Sequence, residues 1–337
     1  MKLTLKVTPQ RSTQYANMAQ SLAIPELLAS PLHPAITDVA LTTLAGQPYV
    51  LADFNEERLS SASQLHVLHR LGAVSEIYEY FERIGEVQGP FLRPVEPQFQ
   101  PFVPWEMVET RRYKGKTNEL FTQVLLNIAI FAGAYSEQYA QPLRILDPLA
   151  GGGTTLFVGL ALGYDVFGIE LTRQDVETTA IFIKQFFNSE RVPYKGVDER
   201  GRRAGRRYLF EVGRKGQTRT LVLVHGDACD AASHMREVPG GPHMHAIVGD
   251  LPYGIQHFGE ISELLRQALP VWEQMLLPGG TVALAWNATR IERAAMVELF
   301  QQQTDLQVRD DPPYTRFAHT VDRVIKRRDI VVAVRRT

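Results

Sequence analysis

Two short runs about a hundred residues apart carry the side chains best suited to chemistry. They are Asp147-Pro148-Leu149-Ala150-Gly151-Gly152-Gly153-Thr154-Thr155 and Asp250-Leu251-Pro252-Tyr253-Gly254. Each follows a short apolar run of buried-strand character, 143–146 before the first and 245–249 before the second. Glycines after a strand let the backbone approach a ligand closely, because glycine has no Cβ and tolerates positive φ. No lysine follows these glycines, which argues against a triphosphate loop, and no Gly-x-Gly-x-x-Gly is present. The second run suits an exocyclic amine. Such a nitrogen is a weak nucleophile while its lone pair is delocalised into a ring. A carboxylate and a backbone carbonyl accepting its two hydrogens favour tetrahedral geometry and accommodate the developing charge. Asp250 and the Leu251 carbonyl fit that task, Pro252 stiffens the loop, and Tyr253 offers a face on which a base can stack.

Two further acids fall after apolar runs. Glu170 closes 165–170 and is placed to accept from the ribose hydroxyls of a nucleoside cofactor, the plain alternative being an ordinary surface glutamate. Asp227, in His225-Gly226-Asp227-Ala228, suits either an adenine amino group or a helix N-cap. A second tetrapeptide, Asp311-Pro312-Pro313-Tyr314, follows no apolar strand at the right place. We read it as a turn remote from the cleft.

These runs need elements to hold them. From residue 118 onward, strands and helices alternate: a helix at 119–134, strand 143–147, helix 154–162, strand 165–170, helix 173–188, strand 220–225, and a strand ending at Asp250. A helix over 260–277, a turn at 278–280, strand 281–286, helix 290–302 and strands 306–309 and 329–335 follow. This predicts an α/β fold with a Rossmann-like, mostly parallel, seven-stranded sheet whose last two strands pair antiparallel. Residues 1–100 form a separate small α+β domain. In it 39–43 and 49–53 suit a hairpin, 62–85 reads as a helix broken near Gly72, and the proline-rich 90–104 reads as an extended linker. The larger domain spans 110–337 and carries an insert at 191–219.

That insert changes the meaning of a formal net charge of −1. Residues 191–219 hold ten basic and three acidic side chains, whereas 1–110 hold seven and twelve. Local fields attract phosphates, so a nucleic-acid partner stays open, with Arg202, Arg203, Arg206, Arg207, Arg214 and Lys215 as the contacts. The bland alternative is a solvated hairpin around an Arg/Gly-rich loop. One cysteine, Cys229, excludes an internal disulfide and a cysteine zinc site, and we expect no metal. No apolar run reaches a membrane span and no signal-peptide core opens the chain, so the expected location is cytoplasmic.

With these residues in view, the chain resembles class I S-adenosylmethionine-dependent amino-methyltransferases with an (Asp/Asn)-Pro-Pro-(Tyr/Phe) loop. Within them it is most similar to the THUMP-associated tRNA guanosine-N2 methyltransferases. The resemblance covers about 110–337 and includes Arg112-Tyr113-Lys114-Gly115-Lys116-Thr117-Asn118-Glu119-Leu120-Phe121, an element that in the family contacts the methionine end of the cofactor. It implies S-adenosylmethionine as cofactor, held by Thr117 and Asn118, by Asp147, Pro148, Ala150, Gly151, Gly153, Thr154 and Thr155, and by Glu170, Leu171, Asp227 and Ala228. It implies catalysis by Asp250, Leu251, Pro252 and Tyr253, and an RNA substrate, tRNA above all. The N-terminal region is short and acidic for a THUMP domain, and the insert is not a family feature. A DNA adenine-N6 or cytosine-N4 methyltransferase shares both motifs. A noncatalytic nucleic-acid-binding protein on the same scaffold is the reading from another class.

Overall fold

The computed structural model describes every residue except 59–61, 114, 201–205, 253–257 and 322–325, with backbone alone described at 62, 63, 199, 200 and 258. The chain opens with strand β1 (Lys2–Val7), helix α1 (Thr13–Ala29) and strands β2 (Ile36–Leu44), β3 (Gln47–Phe54), β4 (Val74–Ile84) and β5 (Val87–Pro94). They form an antiparallel sheet in the order β2-β3-β1-β4-β5, with α1 packed on it. The β2–β3 hairpin turns at Ala45-Gly46, both with positive φ, as a two-residue connection requires.

The helix expected over 62–85 is not there. Residues 62–70 wind as a 3-10 helix, and 74–84 are strand β4. Val74, Ile77, Phe81 and Ile84 have helical spacing, but β4 finds a partner on each edge, β1 and β5, and sheet pairing overrides the local pattern. The proline-rich stretch likewise begins inside β5, and only 95–104 runs as extended coil before α2 (Glu106–Thr110).

The remaining elements are α3 (Glu119–Ala132), β6 (Arg144–Asp147), α4 (Thr154–Ala161), β7 (Asp165–Glu170), α5 (Arg173–Ser189), β8 (Tyr194–Arg200), β9 (Arg206–Arg214), β10 (Gln217–His225), α6 (Ala231–Met235), β11 (Met244–Asp250), α7 (Phe258–Met275), β12 (Leu276–Asn287), α8 (Arg293–Gln303), β13 (Gln307–Val308) and β14 (Arg328–Val334). Their sheet runs β13-β14-β12-β11-β6-β7-β10-β9-β8. The five strands from β12 to β10 are parallel, and β14 is antiparallel to both β12 and β13. The Rossmann-like expectation therefore holds, with an addition. The basic insert supplies β8 and β9, which lengthen the sheet from seven strands to nine.

Alternation along each strand feeds two cores, as a sheet covered on both faces demands. Ile145, Val166, Leu221, Leu223, Val248 and Val332 meet the helices α3, α4 and α5, while Leu146, Phe167, Val222, Ile247, Val282 and Val331 meet the helices α6, α7 and α8. The first core continues without a break into α1 and β1. A fully buried carboxylate marks that junction. Glu26 on α1 accepts from the Gly72 and Ala73 amides at 2.8 and 2.9 Å and from Asn127 on α3 at 2.8 Å. Burial pushes its carboxyl up to about 7, against those three donors.

Chain order reverses between β6 and β11: from β6 the sheet proceeds through β7 to β10, whereas β11 begins on the opposite side. Ligands in open α/β sheets bind beyond the carboxyl ends at such a point. Asp147 and Asp250 end these two strands.

Candidate active site

The glycine turn is built from within. Asp147 is 3% exposed, and its Oδ1 accepts from the Leu149 amide at 2.9 Å while Thr155 bonds the same carboxylate. Burial first, with Asp250 and Glu170 adding like charge, pushes its carboxyl up to about 7. Ala150 donates its amide to the Ile169 carbonyl, which ties the turn to β7. Gly153 caps α4 at φ +91°, where an L side chain would be strained. A Cβ on Gly152 would lie 2.5 Å from the Tyr113 ring, and that tyrosine's hydroxyl is 2.6 Å from Thr154 Oγ1. Tyr113 is thus a roof over the turn that motif reading passed over. Gly151, by contrast, faces open space. Pro148 sits within the turn, and Thr154 and Thr155 start α4 as expected.

Glu170 closes β7 beside this turn. Its Oε2 accepts from the Gly151 amide at 2.9 Å and its Oε1 from the Thr172 amide at 2.7 Å. Next to it Leu171 is 68% exposed, the most exposed large apolar side chain described. One strand further, Asp227 is exposed and caps a 3-10 turn, its Oδ1 accepting from the Cys229 amide at 2.8 Å, with Ala228 buried behind. The N-cap alternative is therefore realised by one oxygen of Asp227.

Asp250 is the second carboxylate of the switch point. Thr117, just ahead of α3, donates its hydroxyl to Asp250 Oδ2 at 2.8 Å. The guanidinium of Arg328, at the start of β14, lies 3.6 Å from the same oxygen. Arg328 is buried, with its guanidinium carbon 4.5 Å from the Phe121 ring centroid, and the His319 ring lies 5.1 Å from that same phenyl. Burial holds His319 down to about 4, so its imidazole is neutral beside the guanidinium near pH 7. The Leu251 amide donates to the Ala285 carbonyl at 2.8 Å, its side chain is buried, and Pro252 is exposed. Tyr253 lies outside the described residues.

Thr117 and Asn118, assigned to the cofactor through the family resemblance, stand at the entry to α3. Thr117 bonds Asp250, and Asn118 caps α3 by accepting from the Phe121 amide at 3.1 Å. Arg328 had no sequence signal, because only strand register brings it to Asp250. The tetrapeptide 311–314 forms a turn and a short 3-10 helix, with Tyr314 buried. The segment it opens returns to the site through His319 and Arg328, because β14 starts level with the carboxyl end of β12.

The candidate nucleic-acid contacts divide. Arg202 and Arg203 lie outside the described residues. Arg206 is bound to Asp198 at 2.9 Å and to Glu177 at 3.0 Å, and the buried Arg207 is 3.3 Å from Glu237. Arg207 pairs with Val224, next to the level of Glu170, so this end of the hairpin stands at the carboxyl edge. Arg214 pairs with Gln217 at the other end of β9, and with Lys215 it occupies the amino edge, roughly 23 Å away at about 3.3 Å per residue.

No family model matches the chain, and neither does any curated relative. Among solved structures it is similar to TrmN from Thermus thermophilus, at 14% identity and a TM-score of 0.47, covering 99% of each chain. It is also similar to a methyltransferase homolog protein from Pyrococcus horikoshii, at 10% identity and a TM-score of 0.40, covering 99% of this chain and 86% of that one. A third is the fibrillarin pre-rRNA processing protein of Methanococcus jannaschii, at 12% identity and a TM-score of 0.38, covering 88% and 97%. These likenesses are distant, and the chain's own residues carry the functional reading. Among the described residues no helix is long and apolar enough to cross a membrane, and no group of three or more His, Cys, Asp or Glu is placed to hold a metal.

Proposed function

We propose that the chain transfers a methyl group from S-adenosylmethionine to an exocyclic amine of a nucleic-acid base, with guanosine N2 in tRNA as the foremost target. The observation that supports this most is the placement of Asp250. It ends the strand beside the glycine turn, at the switch point, with its carboxylate oriented by Thr117 and Arg328.

The donor and acceptor set fits a nucleoside cofactor. Gly151 leaves open space over the turn, Glu170 stands at the ribose position, the exposed Leu171 offers apolar cover for a purine, and the exposed Asp227 stands at the next strand end. When bound, the cofactor supplies an electrophilic methyl on a sulfonium. The protein needs no nucleophile of its own, because the base nitrogen attacks. Asp250 and the Leu251 carbonyl accept the two amine hydrogens and turn the nitrogen lone pair out of conjugation. Asp250 then takes the proton released as the new N–C bond forms. Thr117 fixes the rotamer of that carboxylate, and Arg328 attracts it from below. Tyr253 is the stacking residue of this scheme.

Incubating the protein with methyl-labelled cofactor and total RNA or DNA, followed by nucleoside mass spectrometry, tests the reading. N2-methylguanosine is the expected product. N6-methyladenine or N4-methylcytosine in DNA would move the substrate to DNA. Cofactor binding without methyl transfer to any nucleic acid would favour a noncatalytic scaffold and end the proposal.

A further inference from the structure

The residues just ahead of β14 form a cationic rim at the carboxyl edge. Arg328 pairs with Asn287, two residues beyond Ala285, which is level with Asp250. Lys326 and Arg327 therefore lie past the strand ends, at the same carboxyl edge as Asp250. The Arg327 amide donates to Thr289 Oγ1 at 3.1 Å, which fastens this segment to the turn after β12. Arg290 belongs to that turn, its amide bonded to the Asn287 carbonyl at 3.0 Å. All three cations are exposed, and none forms an ion pair with another described residue.

The acids nearby are largely taken. Among the described residues, Arg293 holds Asp310 at 2.8 Å and the buried Asp329 at 3.3 Å, and Glu292 is an exposed carboxylate beside Arg290. Five of the residues from 316 to 328 are basic and one is acidic. The hairpin arginines differ: Arg206 and Arg207 are each already paired with carboxylates.

We infer that Arg290, Lys326 and Arg327 form the phosphate-contacting surface for the nucleic-acid strand whose base reaches Asp250, in preference to the basic insert. This rests on the nucleic-acid reading above. Exposed cations outside any close ion pair among the described residues gain most of the counterion-release term when they meet phosphates, whereas a paired arginine must first give up its carboxylate. The rim also leads to the reaction carboxylate through Arg328, the next residue along.

The test is a triple variant, Arg290→Gln/Lys326→Gln/Arg327→Gln, titrated against a fluorescent single-stranded RNA over a range of salt. Affinity at about 100 mM salt should fall roughly tenfold to a hundredfold, and the slope of log affinity against log salt should shallow by about two to three. Cofactor affinity, measured by equilibrium dialysis, should match the parent and so report an intact fold. Arg214→Gln/Lys215→Gln should bind the RNA within about twofold of the parent. Parent-like affinity and slope in the triple variant would overturn the inference, as would loss of binding in the Arg214/Lys215 pair. A parent protein that binds cofactor but neither RNA nor DNA would instead bring down the nucleic-acid reading itself.

Discussion

Asp147 and Asp250 end adjacent parallel strands at the same edge of one sheet, yet their surroundings differ. Asp147 is sealed under its own glycine turn, bonded to Leu149 and Thr155, and its carboxyl is pushed up to about 7 by burial. Asp250, its side chain 12% exposed, is met by a hydroxyl from the α3 entry and a guanidinium from β14. The local sequence, an aspartate after an apolar strand, is the same in both. What separates the loop-shaping acid from the one we propose as reactive is the company that other elements bring.

Removing the reactive member should have the largest effect. Asp250→Ala is expected to lower methyl transfer by about 10²–10⁴-fold, with cofactor affinity nearly intact. Asp311→Ala, the matched change in the second tetrapeptide, should stay close to the parent rate. Full activity in the Asp250 variant would erase the distinction between the two aspartates.

Next comes the company of Asp250. Arg328→Ala should cut kcat by roughly ten- to a hundredfold with a smaller change in KM, and Arg328→Lys should recover part of the loss, since it restores charge without the planar fork. An unchanged kcat would show that the guanidinium only fills space over Phe121. Thr117→Val should cost about five- to tenfold in kcat, the worth of about 1 kcal/mol in hydrogen bonding, and leave cofactor affinity alone. Weakened cofactor binding would return Thr117 to the role its motif implies.

The smallest effect tests the sealed member. A carboxyl raised in the folded state binds its proton more tightly there than in the unfolded chain. Its ionisation therefore erodes stability as pH climbs from about 4 toward 7. Asp147→Asn, which cannot ionise, should melt a few degrees above the parent at pH 8 and match it near pH 4. Glu26 contributes the same sign over about 4.5 to 7, so the Asn variant should keep part of the pH dependence. A variant that melts lower at every pH would mean that the Asp147 carboxylate is needed as an anion.

Much of the sheet was legible because its strands are continuous apolar runs, such as 220–225 and 281–286, which have no reading as amphipathic helices. The pairing of the last two strands was legible too, since no helix separates them. The N-terminal sheet was harder. Lys2–Val7 does alternate polar and apolar residues, but over only six positions, and 74–84 has helical spacing that only its two sheet neighbours override. At the site, residue type and position after a strand pointed to Asp147, Glu170 and Asp250. The partners of those residues did not appear, because contacts such as Arg328 with Asp250 and Arg206 with Glu177 depend on register and crossover, which leave no mark on the local chain. The same blindness made the insert look like a uniform basic patch.

The insertion of β14 between β12 and β13 has a consequence in time. Synthesis proceeds at about 5–20 residues per second, so a chain that already contains Asp250 waits roughly 4–16 s before Arg328 is made. Once β12 and β13 are made, they lack the strand that joins them until β14 follows, and Asp250 lacks the Arg328 guanidinium. The glycine turn and Asp250 are thus made well before the guanidinium that meets Asp250. Completion of the candidate site is a single late event, the docking of one strand, which coincides with the closing of the sheet.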